Sequence, residues 1–119
     1  MNNQTIAAVH EMRLCEEPFK QIKSGSKIYE LRLYDEKRQK INPGDKIVFS
    51  LINEPSEKMT ASVIELLKFR NFTELYNAVP KRDMGYADNE QADPSDMSVY
   101  YSASDISKYG VVAIKINLI

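Results

Sequence analysis

Three ionisable side chains lie within six residues of one another, namely Lys27, Glu30 and Arg32. Lysine and arginine donate hydrogen bonds to phosphate or carbonyl oxygens, and a glutamate accepts one from an amine. Together these residue types suit a polar ligand that carries phosphate and amide groups. A surface ion-pair cluster worth about 0.2–1 kcal/mol explains the same pattern. The residues alone leave both interpretations open.

The flanking sequence predicts how these side chains are positioned. Glu16-Glu17-Pro18 is typical of a first helical turn, and Gly25 is expected in the left-handed conformation that ends a short helix. A strand begins near Ile28, and its period of two places Glu30 and Arg32 on one face and Tyr29 and Leu31 on the other. Lys27 lies on the turn just before the strand.

The rest of the chain predicts a β, α, β, β, β, α, α, β order. The turn signal Asn42-Pro43-Gly44-Asp45 separates the second and third strands. A small α+β fold follows, with a mixed, mostly antiparallel sheet or partly open barrel and short helices at its ends. The predicted elements are strands within 5–14, 28–34, 46–52, 58–68 and 111–118, a hairpin loop at 53–56, helices at 16–24 and 72–79, a third helix from Asp93, a further turn at 104–109, and a long loop at 81–93.

Length and composition favour one domain over residues 1–119, because 119 residues bury one core but not two. One cysteine and one histidine supply no zinc ligand set, and we expect neither a metal nor a cofactor. The first residues lack the pattern of a secretion signal, and no apolar run approaches the ~20 residues of a membrane span. We therefore expect a cytoplasmic protein without a membrane partner. Cys15 is expected to pack as a small apolar residue, and His10 to have a structural role or to be exposed.

Charge is distributed unevenly although the net charge is −1. Residues 20–46 carry eight basic and four acidic side chains, whereas residues 88–105 carry five acidic side chains and no basic one. A basic region around Lys27 and a distant acidic region are compatible with a small nucleotide site, and equally with ordinary surface variation. Tyr100, Tyr101 and Tyr109 either stack on a splayed base or pack at helical spacing, and we assign Tyr100 to the ligand.

Three motifs taken in order give a family resemblance. They are Gly25-x-Lys27-x-x-Glu30-x-Arg32, then Pro43-Gly44-Asp45 before an apolar strand, and Tyr109-Gly110 before the terminal strand. The chain resembles the ASCH domain family of the PUA-like superfamily over nearly its whole length. The resemblance implies a small β-barrel with a cleft suited to RNA or modified nucleotides.

Some small ASCH proteins are acetylcytidine amidohydrolases in which a lysine is the general base, a threonine the nucleophile and a downstream glutamate the acid. Lys27 matches the lysine, Glu30 occupies the threonine position, and Asp83 is the nearest carboxylate for the acid. A carboxylate orients water but does not replace an activated hydroxyl.

These observations give three hypotheses. The first is a module that binds RNA or a modified nucleotide through Lys27, Glu30 and Arg32. The second is a hydrolase, amidohydrolase-like or ribonuclease-like, in which Lys27 is the general base and Glu30 orients water. The third is a protein adaptor that uses the Tyr-rich acidic segment 93–105.

Overall fold

A five-stranded sheet is the central element of the computed structural model, which describes residues 7–119. The strand order is β1-β3-β4-β5-β2, with β1 and β3 parallel and all other neighbours antiparallel. The strands are β1 (Val9–Leu14), β2 (Tyr29–Leu33), β3 (Lys46–Leu51), β4 (Glu54–Phe69) and β5 (Val111–Leu118).

The sheet curls so that its two edge strands, β1 and β2, approach each other. A side chain bridges this gap, because the Arg32 guanidinium on β2 donates to the Arg13 carbonyl on β1 at 3.0 Å. The predicted α+β fold with a mixed, mostly antiparallel, partly open barrel is confirmed.

Three α-helices and three 3₁₀ helices connect the strands in the described part of the chain. The first α-helix ends at Gly25, whose φ of 87° is the left-handed conformation predicted for it. No helix within residues 7–119 is long and apolar enough to cross a membrane. The helices are α1 (Glu16–Ser24), α2 (Phe72–Ala78) and α3 (Ala103–Tyr109), and the 3₁₀ helices are Arg38–Lys40, Lys81–Asp83 and Pro94–Val99.

Apolar side chains pack on both faces of the sheet. One core lies beneath α1 and contains Phe19, Ile22 and Phe49. The second lies beneath α2 and contains Leu75 together with Tyr29, Leu31 and Leu33 of β2. The predicted alternation of β2 is therefore confirmed, and it leaves Glu30 and Arg32 on the opposite face from the second core.

Three predicted elements differ from the structure. The loop of the β3–β4 hairpin is Ile52-Asn53 rather than 53–56, and Pro55 lies where the register is irregular, so its missing N–H breaks no regular ladder. The third helix is a short 3₁₀ helix, Pro94–Val99. The closing strand alternates apolar and polar residues from Val112 to Leu118, which predicts one buried face, but it is buried on both faces from Val111 to Ile114 because α2 and α3 cover the second face. Residues 1–6, which include the start of the first predicted strand, lie outside the described part of the chain.

Asp45 ties the turn before β3 to the strand beside it. Its Oδ1 accepts from the Ala8 N–H at 3.1 Å, and its Oδ2 accepts from the Asn42 N–H at 2.9 Å and from the His10 ring at 2.8 Å. Burial alone raises the pKa of the Asp45 carboxyl, but these hydrogen bonds outweigh it and bring the pKa below its usual range. His10 thus has a structural role, which is one of the two alternatives predicted for it.

We predict that Asp45→Asn lowers the free energy of unfolding at pH 7 by about 1–3 kcal/mol, because an amide cannot accept from all three donors. Since the folded carboxyl has the lower pKa, Asp45 stabilises the fold above the unfolded pKa of about 3.9, and this contribution is lost as pH falls through the folded pKa. The difference between wild type and variant should therefore shrink toward pH 3 in urea unfolding. Asp88→Asn, at an exposed ion pair, is the control. Equal stabilities at pH 7 would contradict the role of Asp45.

Candidate functional site

Lys27 is a buried lysine two residues before β2. Its backbone forms a bridge with Met84, and the residue is 7% exposed. The ammonium Nζ donates to the Met84 carbonyl at 3.1 Å and lies 3.6 Å from Glu30 Oε1. Burial lowers the pKa of Lys27 below its usual range, although the nearby Glu30 carboxylate opposes that shift. The site therefore contains an amine that gives up its proton more readily than a surface lysine does.

Glu30 lies between the two basic side chains. Its Oε1 faces Lys27, and its Oε2 accepts from Arg32 Nε at 2.7 Å. The residue is 5% exposed, and β2 fixes its backbone against Ile114 of β5. Both carboxylate oxygens thus have a cationic neighbour. We call Lys27, Glu30 and Arg32 the charged cluster, and the structure brings all three side chains together.

Arg32 connects the charged cluster to the opposite edge of the sheet. Of its five N–H donors, one points to Glu30 and one to the Arg13 carbonyl. Three N–H groups make no hydrogen bond to the described residues, and the side chain is 14% exposed. Arg32 is therefore held rigidly while part of its donor capacity stays available.

The charged cluster lies in a cleft of about 530 Å³. This space is surrounded by side chains from strands β1 and β2 and helices α1 and α2. Loop 81–93, the 94–99 helix and the residues just after that helix complete its lining. The lining residues are Arg13, Leu14, Cys15, Glu17, Pro18, Gln21, Lys27, Glu30, Leu31, Arg32, Ile52, Tyr76, Met84, Gly85, Tyr86, Glu90, Asp96, Met97, Tyr100 and Tyr101.

Loop 81–93 forms one wall of this cleft. The Met84 carbonyl accepts from Lys27, and the Gly85 carbonyl accepts from Gln21 Nε2 of α1 at 3.0 Å. Gly85 has a φ of 104°, a left-handed conformation that favours glycine, and a Cβ there would lie 2.5 Å from Gln21 Oε1, so the Gln21 side chain would also have to move. The loop is anchored beside the site.

The three tyrosines considered from the sequence have different positions. Tyr100 is 61% exposed and lines the cleft at its rim, as its assignment to the ligand requires. Tyr101 also lines the cleft, but its ring stacks on Phe72 with centroids 6.0 Å apart. Tyr109 packs against the second core and is not among the lining residues.

Sequence reasoning missed a second polar group on the cleft wall. Tyr86 OH donates to Asp96 Oδ2 at 2.7 Å, and the Tyr76 and Tyr86 hydroxyl oxygens are 2.9 Å apart. Tyr76 has the spacing of an apolar helix face on α2, which predicts core packing, and Tyr86 lies in an aperiodic loop. Only the fold brings these residues of three different segments together, so no local pattern signals them.

The charge of the cleft differs from the charge of the sequence segment around Lys27. Three basic side chains (Arg13, Lys27 and Arg32) and four acidic ones (Glu17, Glu30, Glu90 and Asp96) line it. The acidic segment 88–105 was expected to be distant, but it contributes Glu90 and Asp96 to the site. The cleft is therefore nearly neutral rather than basic.

Other residues named from the sequence lie as follows. Cys15 is exposed at the cleft just before α1, so the expectation that it packs as a small apolar residue is wrong. Asp83 is not a lining residue, and its carbonyl accepts from the Ile28 N–H. Within residues 7–119, no three His, Cys, Asp or Glu side chains are grouped so that they could hold a metal ion.

We predict that Glu30→Gln strongly destabilises the protein. The change leaves two cations without their shared counter-charge, and removing one partner of a buried pair costs on the order of 3–5 kcal/mol. Urea unfolding at pH 7 measures the loss. Glu16→Gln breaks the exposed pair with Lys20 and should leave the urea midpoint almost unchanged. Equal effects of the two substitutions would show that the charged cluster does not depend on Glu30.

Comparison with known proteins places the chain in a family. No protein of curated function matches it significantly. The crystal structure of hypothetical protein PH0355 is 32% identical, with a TM-score of 0.79 over 93% of this chain and 99% of that one. The solution structure of protein PF0455 from Pyrococcus furiosus is 30% identical, with a TM-score of 0.65 over 93% and 97%. A mutant of ZmASCH from Zymomonas mobilis shares the fold, at 14% identity and a TM-score of 0.67 over 92% and 67%. The ASCH domain family matches residues 12–119, so this chain belongs to the ASCH domain family and has its PUA-like fold.

Proposed function

We propose that this protein binds RNA or a modified nucleotide or nucleoside, and that one nucleotide unit occupies the cleft at the charged cluster. The observation that carries this proposal is a buried Lys27–Glu30–Arg32 cluster whose cations keep unused donors next to an open cleft. Lys27 uses one N–H on Met84 and directs another toward Glu30, and Arg32 has three N–H groups left. A ligand that brings carbonyl or phosphate oxygens would satisfy them.

The size of the cleft supports a single unit rather than a length of strand. Pockets for small molecules have volumes of roughly 300–1,000 Å³, and 530 Å³ falls within this range. The nearly equal numbers of basic and acidic lining residues argue against binding driven by many phosphates. We therefore infer that RNA, where it binds, presents one unstacked nucleotide.

Tyr100 supplies an apolar contact for such a unit. Its ring is exposed at the rim, 6.4 Å from the Tyr101 ring. An aromatic face stabilises an unstacked base by about 1–3 kcal/mol. Stacking at the rim and hydrogen bonds at the charged cluster would together hold a base and its polar edge.

We predict that Arg32→Lys weakens binding of nucleosides, nucleotides and short RNAs about tenfold or more. A lysine keeps the charge but loses the planar set of donors that reaches Glu30, Arg13 and the ligand at once. Isothermal titration calorimetry against a panel of these ligands measures the effect, with thermal melting to check the fold. Arg70→Lys makes the same change at a surface arginine outside the cleft and should bind as wild type. Equal affinities of the two variants would refute the role of Arg32.

The pKa shift of Lys27 favours a second candidate function, a hydrolase on a modified nucleoside or on RNA. An unprotonated Lys27 could take a proton from a water oriented by Glu30, and the resulting hydroxide would add to the carbonyl carbon of an acylated amine. The C–N bond then breaks, the proton passes to the departing nitrogen, and a carboxylic acid and an amine are formed. Glu30 already contacts Lys27 and Arg32, so it would also hold the base in place.

For the hydrolase, we predict that turnover of an acylated cytidine rises with pH through the lowered pKa of Lys27, because only the neutral amine accepts a proton. Product formation is followed by mass spectrometry from pH 5 to 10. Lys27→Ala and Glu30→Ala should abolish turnover, and Lys23→Ala, on the surface of α1, should not. Thermal melting identifies variants that remain folded, and only folded variants report on the catalytic roles. Binding without turnover in wild type would leave the binding module as the function.

A further inference from the structure

Three polar side chains on the wall of the cleft form a hydrogen-bonded chain of fixed direction. A carboxylate only accepts hydrogen bonds, so the Tyr86 hydroxyl donates its one proton to Asp96 Oδ2, 2.7 Å away. Tyr86 can then only accept from Tyr76, whose hydroxyl lies at 2.9 Å. Burial, together with these hydrogen bonds, raises the pKa of Tyr86 well above its usual range, so its proton stays in place.

The hydroxyl protons of Tyr76 and Tyr86 are therefore both used in hydrogen bonds among these three side chains. The Tyr76 oxygen keeps lone pairs, and Asp96 Oδ1 accepts no hydrogen bond from the described residues. Tyr76, Tyr86 and Asp96 all line the cleft, and we call them the acceptor wall. The charged cluster, in the same cleft, has the opposite character because its unused groups are N–H donors.

We propose that the acceptor wall determines specificity by selecting a base that carries an exocyclic amino group. Such a base would place the amino group on the acceptor wall and a ring nitrogen or carbonyl oxygen on Lys27 or Arg32. Uracil and hypoxanthine have a carbonyl oxygen where cytosine and adenine have the amino group. Asp96 is exposed, so water solvates its free oxygen before a ligand binds. A carbonyl oxygen that displaced this water would face lone pairs without a donor, and this repulsion disfavours its binding. This inference rests on the proposed nucleotide-binding function.

A purely structural role is the competing explanation. The hydrogen bonds of the acceptor wall link three segments, because Tyr76 lies on α2, Tyr86 on loop 81–93 and Asp96 in the 94–99 helix. Loss of such a link would weaken every ligand alike. Only a specificity role changes the ratio of affinities between ligands that differ in the amino group.

The experiment measures Kd by titration calorimetry for two ligand pairs, cytidine against uridine and adenosine against inosine. We expect wild type to prefer the amino member by about tenfold or more, as for one hydrogen bond to a charged group. Asp96→Asn keeps an acceptor for Tyr86 and offers the ligand an N–H₂, so the preference should fall to near unity or reverse. Asp93→Asn changes the N-cap of the same helix outside the cleft and should leave the ratio unchanged.

Each outcome has a distinct meaning. Equal affinities in wild type, or an unchanged ratio in Asp96→Asn, would overturn the specificity role while leaving the proposed function intact. No binding of any nucleoside, nucleotide or short RNA by wild type would overturn both. If Asp96→Asn does not fold, Tyr76→Phe decides, because it keeps the Tyr86–Asp96 hydrogen bond and removes one acceptor. A ratio equal to that of wild type would then refute the inference.

Discussion

The pairing of one buried carboxylate with two cations is the interaction on which the site depends. Removing ions from water costs several kcal/mol each, and a mutual arrangement with good hydrogen bonds is needed to offset that cost. Glu30 meets this need by placing one oxygen toward Lys27 and the other on Arg32. The Arg32 guanidinium, which pairs with Glu30, also donates to the Arg13 carbonyl on β1. The same side chain therefore spans the open side of the sheet. The chemistry of the cleft and the curvature of the barrel are coupled through this residue.

Much of this arrangement could be predicted from local sequence. A strand has a period of two, so Glu30 and Arg32 had to share a face, and Gly25 had to mark the end of α1. The burial of Lys27 could not be predicted, because the carbonyl that accepts a hydrogen bond from its ammonium belongs to Met84, 57 residues further along the chain. A lysine on a turn is ordinarily solvated, and only the return of loop 81–93 removes it from water.

Other expectations failed for the same reason. Charge counted along the sequence was compatible with a basic site and equally with ordinary surface variation, and it placed the acidic region at a distance; yet Lys37 and Lys40 do not line the cleft, and Glu90 and Asp96 do. Cys15 is an apolar residue by type, but it precedes a helix at the mouth of the cleft and is exposed. In each case the residue type was read correctly and its surroundings were supplied by a segment distant in sequence.

In the charged cluster the charges nearly balance, whereas several N–H donors have no partner within residues 7–119. This difference determines the kind of ligand that suits the cleft. With Glu30 between two cations, the charged cluster has at most one unit of excess positive charge, and burial reduces that excess by favouring neutral Lys27. Its donors, by contrast, outnumber their partners, since Arg32 alone has three unused N–H groups among the described residues. A polyanion would gain little from such a site. A neutral ligand with closely spaced acceptors and donors would satisfy the charged cluster and the acceptor wall together, which fits a single base better than a phosphate chain.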